Sequence, residues 1–171
     1  QDASALGGLW LEQEPTREAI LAEILGQDLT PYAEIVFCGY GEPTCRADDM
    51  FWICDRLKAA GREDIPPIRL NTNGHGSLIN HRNITSELAG RLDAVSVSLN
   101  GSNEAEYLRL TRPGSGEAGW EAMLDFVREA AKYVPRVMVS IVDYDKSPEE
   151  IEACRRLAES LGATFRVRPF A

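Results

Sequence analysis

Short apolar runs alternate with amphipathic segments along this chain, and that alternation constrains the fold more than any other feature. The runs are rich in Val and Ile and predict strands at 34–38, 68–72, 94–99, 137–142 and 164–168. The segments predict helices at 16–25, from Asp48 or Asp49 to Gly61, and at 84–90, 103–110, 117–132 and 147–161. Because successive strand–helix–strand units form right-handed crossovers, this order predicts an α/β fold with one parallel sheet.

The number of strands limits which α/β fold the chain can adopt. Its 171 residues provide five strands, whereas a complete eight-stranded barrel typically needs ~250 residues. We therefore expect a single domain over residues 1–171, either an open sheet or a partial barrel. Because no strand precedes the helix at 16–25 and the chain starts at Gln1, we expect a first strand to be missing. The alternative interpretation of the Gln1 start is a processed or tag-cleaved N-terminus. The strand at 34–38 would then have an exposed edge through which a dimer could form.

The charge balance and the cysteines argue against several functions. The chain has 18 basic and 27 acidic residues and a net charge of -9, which argues against nonspecific nucleic-acid binding. It has no apolar run of about 18 residues, so we expect no membrane-spanning helix. Its four cysteines fit no zinc or iron–sulfur spacing, and Cys54 and Cys154 lie among apolar residues, as core cysteines do. This acidic, cysteine-poor composition suits a cytoplasmic protein.

The first predicted strand ends in a group of residues that suits ligand binding. Gly39, Tyr40, Gly41 and Glu42 follow the apolar run directly. The glycines remove side chains, so the backbone can approach a ligand closely, and Glu42 offers an anionic acceptor. Because ligands of parallel α/β proteins bind at the carboxyl ends of the strands, this segment is the first candidate site.

Polar residues also lie at the ends of other predicted strands. Asn71 and Asn73 lie at the end of the second strand, Ser98 and Asn100 at the end of the third, and Arg168 at the end of the fifth. Amides can donate and accept hydrogen bonds at once, which suits a ribose or an amino-acid moiety. The alternative is that such residues are ordinary turn formers.

Two arginines and four loop residues are further candidates. Arg109 and Arg112 follow the third strand, and a guanidinium can bind a carboxylate through two parallel hydrogen bonds. The alternative for them is a solvated helix face. The loop residues that we consider as substrate-facing are His75, Asn80, His81 and Tyr144.

Several of these segments resemble the radical SAM superfamily. Residues 39–43 are similar to its Gly-Gly-Glu motif, in the Gly-x-Gly-Glu-Pro form, and the runs 68–74, 92–100 and 165–169 look like successive strands of its core. The runs 37–43 and 89–113 are especially similar to radical SAM proteins associated with TatD-type nucleases. The resemblance covers roughly residues 9–170 and implies a partial (β/α)6 TIM-like barrel that binds S-adenosylmethionine and a [4Fe–4S] cluster. A TatD-type nuclease would be a partner.

The resemblance also implies roles for the candidate residues. The segment from Gly39 to Glu42, including Tyr40, would hold the methionine amino group, and Asn71 and Asn73 would also contact the cofactor. Ser98 and Asn100 would face the ribose. The carboxylate would meet Arg112 or Arg109, and the adenine would lie along the backbone near Val142 and Arg168. Reductive cleavage of the cofactor would give a 5′-deoxyadenosyl radical that abstracts hydrogen from an unknown substrate.

The chain departs from the family pattern at one point. The three cluster cysteines of the family lie in a Cys-x-x-x-Cys-x-x-Cys loop after the first strand, and this chain has neither that loop nor that strand. We therefore expect it to provide strands two to six of the barrel and to be inactive by itself. Two alternatives stay open, a cluster-free module that binds a nucleotide or nucleoside, and a scaffold for a nuclease partner.

Overall fold

The computed structural model describes residues 13–39 and 41–170, and its centre is one parallel sheet. The five strands lie in chain order across the sheet, each hydrogen-bonded to the next. They are β1 (Ile35–Phe37), β2 (Ile68–Thr72), β3 (Ala94–Ser98), β4 (Arg136–Val142) and β5 (Thr164–Arg168). The predicted α/β fold with a parallel sheet is thus confirmed.

Helices connect the strands at nearly the predicted positions. They are α1 (Arg17–Leu25), α2 (Ala47–Ala59), α3 (Gly76–Ile79), α4 (Glu104–Thr111), α5 (Ala118–Ala130) and α6 (Pro148–Ser160). Thr16 caps α1, and Ser147 forms with Glu150 the predicted capping box of α6. The helix predicted at 84–90 is a short 3₁₀ turn, Thr85–Leu88, and the four-residue α3 was not predicted.

The predicted start of α2 was wrong. A 3₁₀ turn, Pro43–Arg46, runs directly into the helix, which therefore begins at Ala47. Asp48 and Asp49 lie in its first turn instead of capping it. Carboxylates in that turn still favour the helix, because they face the positive end of its dipole.

The two faces of the sheet differ in polarity. On β2 the side chains of Ile68 and Leu70 are fully buried in the core, whereas the intervening Arg69 and Asn71 are half-buried. The same face of β3 carries Ser96, since Asn71 and Ser96 are register partners. Cys54 and Cys154 are both fully buried, as predicted. The apolar face packs against the helices, and the other face carries polar side chains.

The first strand is less buried than its sequence predicts. All three residues of β1 are half-buried, because β1 has a neighbour on one side only within the described sheet. Its unpaired edge is the one through which we predict pairing of two copies, and this stays a prediction. No helix in the described residues has the length and apolar character needed to cross a membrane.

Candidate functional site

Two adjoining cavities lie at the carboxyl ends of the strands. The glutamate cavity, of about 490 Å³, is lined by Cys38, Gly39, Gly41, Glu42, Asn71, Thr72, Asn73 and Ser98. The histidine cavity, of about 530 Å³, is lined by residues that include His75, Asn100, Tyr107, Val142, Tyr144 and Lys146. Asn73 and Ser98 line both, so the two cavities adjoin at the ends of β2 and β3, and the two together are called the cleft below.

Glu42 connects the ends of β1 and β2 through four hydrogen bonds. Its Oε1 accepts from the Thr44 hydroxyl at 2.6 Å, the Thr72 hydroxyl at 2.7 Å and the Thr44 backbone N–H at 3.1 Å. Its Oε2 accepts from the Asn73 backbone N–H at 2.8 Å. Thr44 and Thr72 are buried, so these donors have little access to bulk water. Glu42 therefore links the segments that follow β1 and β2. Its Oε2 accepts only one hydrogen bond from the protein, so it is the oxygen that can accept a further hydrogen bond from a ligand.

The glycines beside Glu42 border open space. An added Cβ at Gly41 would meet no atom within 4 Å, and one at Gly39 would meet only a backbone nitrogen at 4.0 Å. Packing within the described protein therefore does not require glycine at either position. Both glycines line the glutamate cavity, so a ligand there can approach this backbone closely.

The amide groups of Asn71 and Asn73 are fixed by the protein. Arg69 donates from Nη1 to Asn71 Oδ1 at 2.7 Å and is itself held by Glu34, whose Oε2 lies 2.8 Å from Arg69 Nε. Asn73 Oδ1 accepts from the His75 backbone N–H at 2.8 Å. Because each amide oxygen is engaged, each side chain is left with its NH₂ group to offer to the cavity. Both residues therefore have an amide NH₂ group available as a hydrogen-bond donor.

Three loops around the histidine cavity contain residues with left-handed backbone conformations. These are Asn100 after β3 with φ 59°, Arg112 at the end of α4 with φ 44°, and Asp145 after β4 with φ 53°. Such conformations cost of order 1 kcal/mol or more for residues other than glycine, and they concentrate at functional sites. Their position around one cleft supports the choice of this end of the sheet.

Two polar pairs line the histidine cavity. The His75 ring, only 7% exposed, has its Nε2 2.8 Å from the Tyr107 hydroxyl. Burial lowers the pKa of His75, and the backbone of Gly119 and the charge of Glu42 oppose this shift without reversing it. The Lys146 ammonium forms an ion pair with Glu106, and both side chains are almost completely buried.

The sequence-predicted residues are not all brought together. The cleft contains Gly39, Gly41, Glu42, Asn71, Asn73, Ser98, Asn100 and Val142. Arg109, Arg112 and Arg168 are exposed and line neither cavity. Tyr40 lies outside the described residues.

Two of the polar groups in the cleft were not among the sequence candidates. Tyr107 was not singled out because an aromatic residue on an amphipathic helix is usually an ordinary core residue. Lys146 was not considered because no motif surrounds it. Both residues are recognisable only through the side chains that they contact. Tyr107 contacts His75, 32 positions away, and Lys146 contacts Glu106, 40 positions away, so the sequence does not show either pair.

The described cysteines do not fit an iron–sulfur cluster. Burial raises the pKa of Cys54 to about 12 and that of Cys154 to about 11, which disfavours the thiolates that bind iron. Cys38 and Cys45 are exposed. Across residues 13–39 and 41–170 no group of three or more His, Cys, Asp or Glu side chains is arranged to hold a metal ion.

Comparisons with known proteins agree on one family. The family model described as the radical SAM superfamily matches residues 5–158. The crystal structure of a radical SAM methyltransferase from Sphaerobacter thermophilus is similar, with a TM-score of 0.58 and 18% sequence identity. The match covers 96% of this chain and 50% of that chain, and it shows a shared fold, the partial TIM-like barrel. No curated protein sequence is significantly similar.

Proposed function

Because the chain belongs to the radical SAM superfamily, we propose that its cleft binds S-adenosylmethionine across the carboxyl ends of the strands. One observation carries this proposal, the adjacency of the two cavities at their shared lining residues Asn73 and Ser98. A long cofactor with an ionic amino-acid end and an uncharged adenosyl end matches a cleft with an anionic end and an apolar end.

The glutamate cavity suits the methionine end of the cofactor. A ligand ammonium would bind Oε2 of Glu42, since a charge-assisted hydrogen bond is stronger than a neutral one. The NH₂ groups of Asn71 and Asn73 would donate to its carboxylate or hydroxyl oxygens. Arg109 and Arg112 line neither cavity, so their role with the carboxylate stays a prediction, and the two amides are the better candidates.

The histidine cavity suits the adenosyl end. Ser98 and Asn100 would contact the ribose, and the adenine would lie towards Val142 at the end of β4. The described residues of this chain would thus bind and orient the cofactor. Because they do not fit the [4Fe–4S] cluster, we derive no step through the cluster, and radical generation is proposed only for the longer protein.

The test is direct binding of S-adenosylmethionine to this chain, measured by isothermal titration calorimetry. Gly41→Val should weaken binding at least about tenfold, because it adds a branched side chain to the lining of the glutamate cavity. The unfolding midpoint should stay unchanged, since an added Cβ at this position would meet no protein atom within 4 Å. Ala22→Val on the exposed side of α1 is a control that should leave binding unchanged and lower the unfolding midpoint only slightly, because Val has a lower helix propensity than Ala. Wild-type affinity for the cofactor that Gly41→Val leaves unaltered would contradict the site.

Adenosine separates this function from a cluster-free nucleoside module. If the methionine end is recognised, S-adenosylmethionine should bind more tightly than adenosine, and Gly41→Val should weaken only the former. Equal affinities for the two ligands would instead favour the nucleoside module. A TatD-type nuclease partner is a further part of the proposal, and co-purification with such a nuclease would test it.

A further inference from the structure

A separate cavity lies at the end of the sheet opposite the cleft. Its volume is about 390 Å³, and its lining includes Glu34, Arg69, Ala94, Ser96, Arg136 and Arg166. Glu34 directly precedes β1, and Ala94 and Arg136 are the first residues of β3 and β4, so this cavity lies at the amino ends of the strands. It shares no lining residue with the cleft, and the proposed cofactor site therefore makes no use of it. We call it the arginine cavity.

The register of the sheet brings two arginines to the same part of this cavity. Arg69 and Arg136 are both register partners of Ala94, so the three side chains project from one face of neighbouring strands. Because adjacent strands lie about 4.8 Å apart, alanine is too small to fill the space between the two arginines. One carboxylate holds both guanidiniums. Glu34 Oε2 lies 2.8 Å from Arg69 Nε, and Glu34 Oε1 lies 3.4 Å from Arg136 Nη2.

The lining of the arginine cavity has an excess of positive charge. Arg166 belongs to the same lining and forms no ion pair with a described carboxylate, so three guanidiniums and one carboxylate give a formal charge of +2. Asp93 lies within reach of the charge of Arg136, but its carboxylate is paired with Lys58 at 2.9 Å and does not line the cavity. The local excess contrasts with the net charge of -9 of the whole chain.

The two arginines that Glu34 holds keep donors for a ligand. A guanidinium has five N–H donors. The hydrogen bonds of Arg69 to described residues use two of them, to Glu34 and Asn71, and that of Arg136 uses one. The side chains of Arg69 and Glu34 are each only 26% exposed, so salt screens their charges less than it screens charges on the open surface. Ser96 adds a half-buried hydroxyl to the same lining.

We propose that the arginine cavity binds a small organic anion through a carboxylate or phosphate group. The anionic group lies between Arg69 and Arg136, since a planar guanidinium can donate two parallel hydrogen bonds to such a group, and Arg166 supplies further positive charge. Pro135 and Met138 give the lining an apolar part for the carbon body, and the volume suits a small molecule. A dianion is favoured over a monoanion, because the lining has a formal charge of +2.

The test compares succinate, a dianion, with succinamide, an uncharged analogue that has the same carbon chain. Backbone amide resonances of the ¹⁵N-labelled chain show where each probe binds. Succinate should shift the resonances of Ala94 and Arg136 in a saturable way and leave those of Asn73 and Asn100 in the cleft unmoved. Succinamide should bind at least about tenfold more weakly, because it lacks the charge-assisted hydrogen bonds. Methyl phosphate should shift the same resonances as succinate, and the tighter of the two dianions identifies the preferred anionic group.

Two variants and a matched control separate this site from a general effect of charge. Arg166→Gln should weaken succinate binding about two- to fivefold, the range for an exposed ion pair. Arg156→Gln removes the same charge from an exposed position on α6 outside the cavity, and it should change the affinity by less than about twofold. Ala94→Val keeps every charge but adds a branched side chain between the two arginines, and it should weaken binding at least about tenfold.

Three results would overturn the proposal. They are equal affinities for succinate and succinamide, equal losses in Arg166→Gln and Arg156→Gln, and shifts confined to residues of the cleft. The proposal is independent of cofactor binding, because the two sites share no lining residue. Titration with S-adenosylmethionine is therefore scored separately, and its failure would leave an anion site shown by succinate in place.

Discussion

Replacing Glu42 by glutamine separates its structural role from ligand binding. A carboxylate presents two acceptor oxygens, and here Oε1 takes three hydrogen bonds while Oε2 takes one. Glutamine has one side-chain oxygen, so its NH₂ group must replace either Oε1 or Oε2 and face the N–H or O–H groups that donate to that oxygen in the wild-type protein. The less costly orientation places the oxygen at the Oε1 position and leaves the Asn73 N–H opposite an amide donor.

The expected loss of stability follows from those contacts. Losing a charge-assisted bond and leaving the Asn73 N–H without an acceptor costs about 1–3 kcal/mol. The remaining three bonds, now to a neutral oxygen, weaken by a further part of that amount. We therefore expect Glu42→Gln to lower the free energy of unfolding by about 2–4 kcal/mol in the absence of any ligand.

Urea denaturation at pH 7 measures this loss directly. Glu159→Gln is the matched control, because Glu159 is exposed on α6, and its effect should stay within about 0.5 kcal/mol. A double-mutant cycle with Thr72→Val should give a coupling energy of at least about 0.5 kcal/mol, since the two side chains share a hydrogen bond. A Glu42→Gln protein as stable as the Glu159→Gln control would refute the network as a stabilising element.

Three further changes test other parts of the structure. Lys146→Met should destabilise the protein by about 3–5 kcal/mol in urea denaturation, because Glu106 is left buried and uncompensated. Gly119→Ala should cost about 1–3 kcal/mol and move the His75 ring resonances, because the new Cβ would lie 2.7 Å from Ser115 Oγ and 3.1 Å from the imidazole. Arg62 holds the pKa of Asp64 at about 2, below the usual 3.8, so this carboxylate stabilises the fold fully above pH 3.8 and loses that effect as the pH falls towards 2. Asp64→Asn should therefore flatten the fall in melting temperature over that pH range, and an unchanged profile would contradict the assignment.

The fold could be predicted because its signals are local. The alternation of Ile68 and Leu70 with Arg69 and Asn71 already places one face inward, and Ser147 with Glu150 fixes the start of α6 without reference to the rest of the chain. The boundary of α2 could not be predicted in the same way. Asp48 and Asp49 are good caps, but the preceding 3₁₀ turn, which Glu42 caps, decides where the helix begins.

The candidate site was only partly predictable, because its remaining parts depend on tertiary contacts. The strand ends could be located, since parallel strands bring their carboxyl ends to one edge. The positions of Arg109 and Arg112 could not be predicted, because the direction of a side chain at the end of α4 depends on how that helix ends. Arg112 adopts a left-handed backbone conformation there. Single-domain organisation over residues 1–171 stays a prediction.

The dual position of Glu42 has a consequence for how the cleft could respond to a ligand. The same carboxylate that would meet the cofactor ammonium also holds Asn73, and Asn73 in turn accepts from the backbone N–H of His75. A ligand that draws Oε2 towards the glutamate cavity would therefore act on the loop that positions the imidazole in the histidine cavity. Binding at one end of the cleft and hydrogen bonding at the other are linked through two bonds of 2.8 Å each. Methionine, which would occupy the glutamate cavity alone, should consequently move the ring resonances of His75 in ¹⁵N-histidine-labelled protein, whereas those of the exposed His81 should stay unmoved.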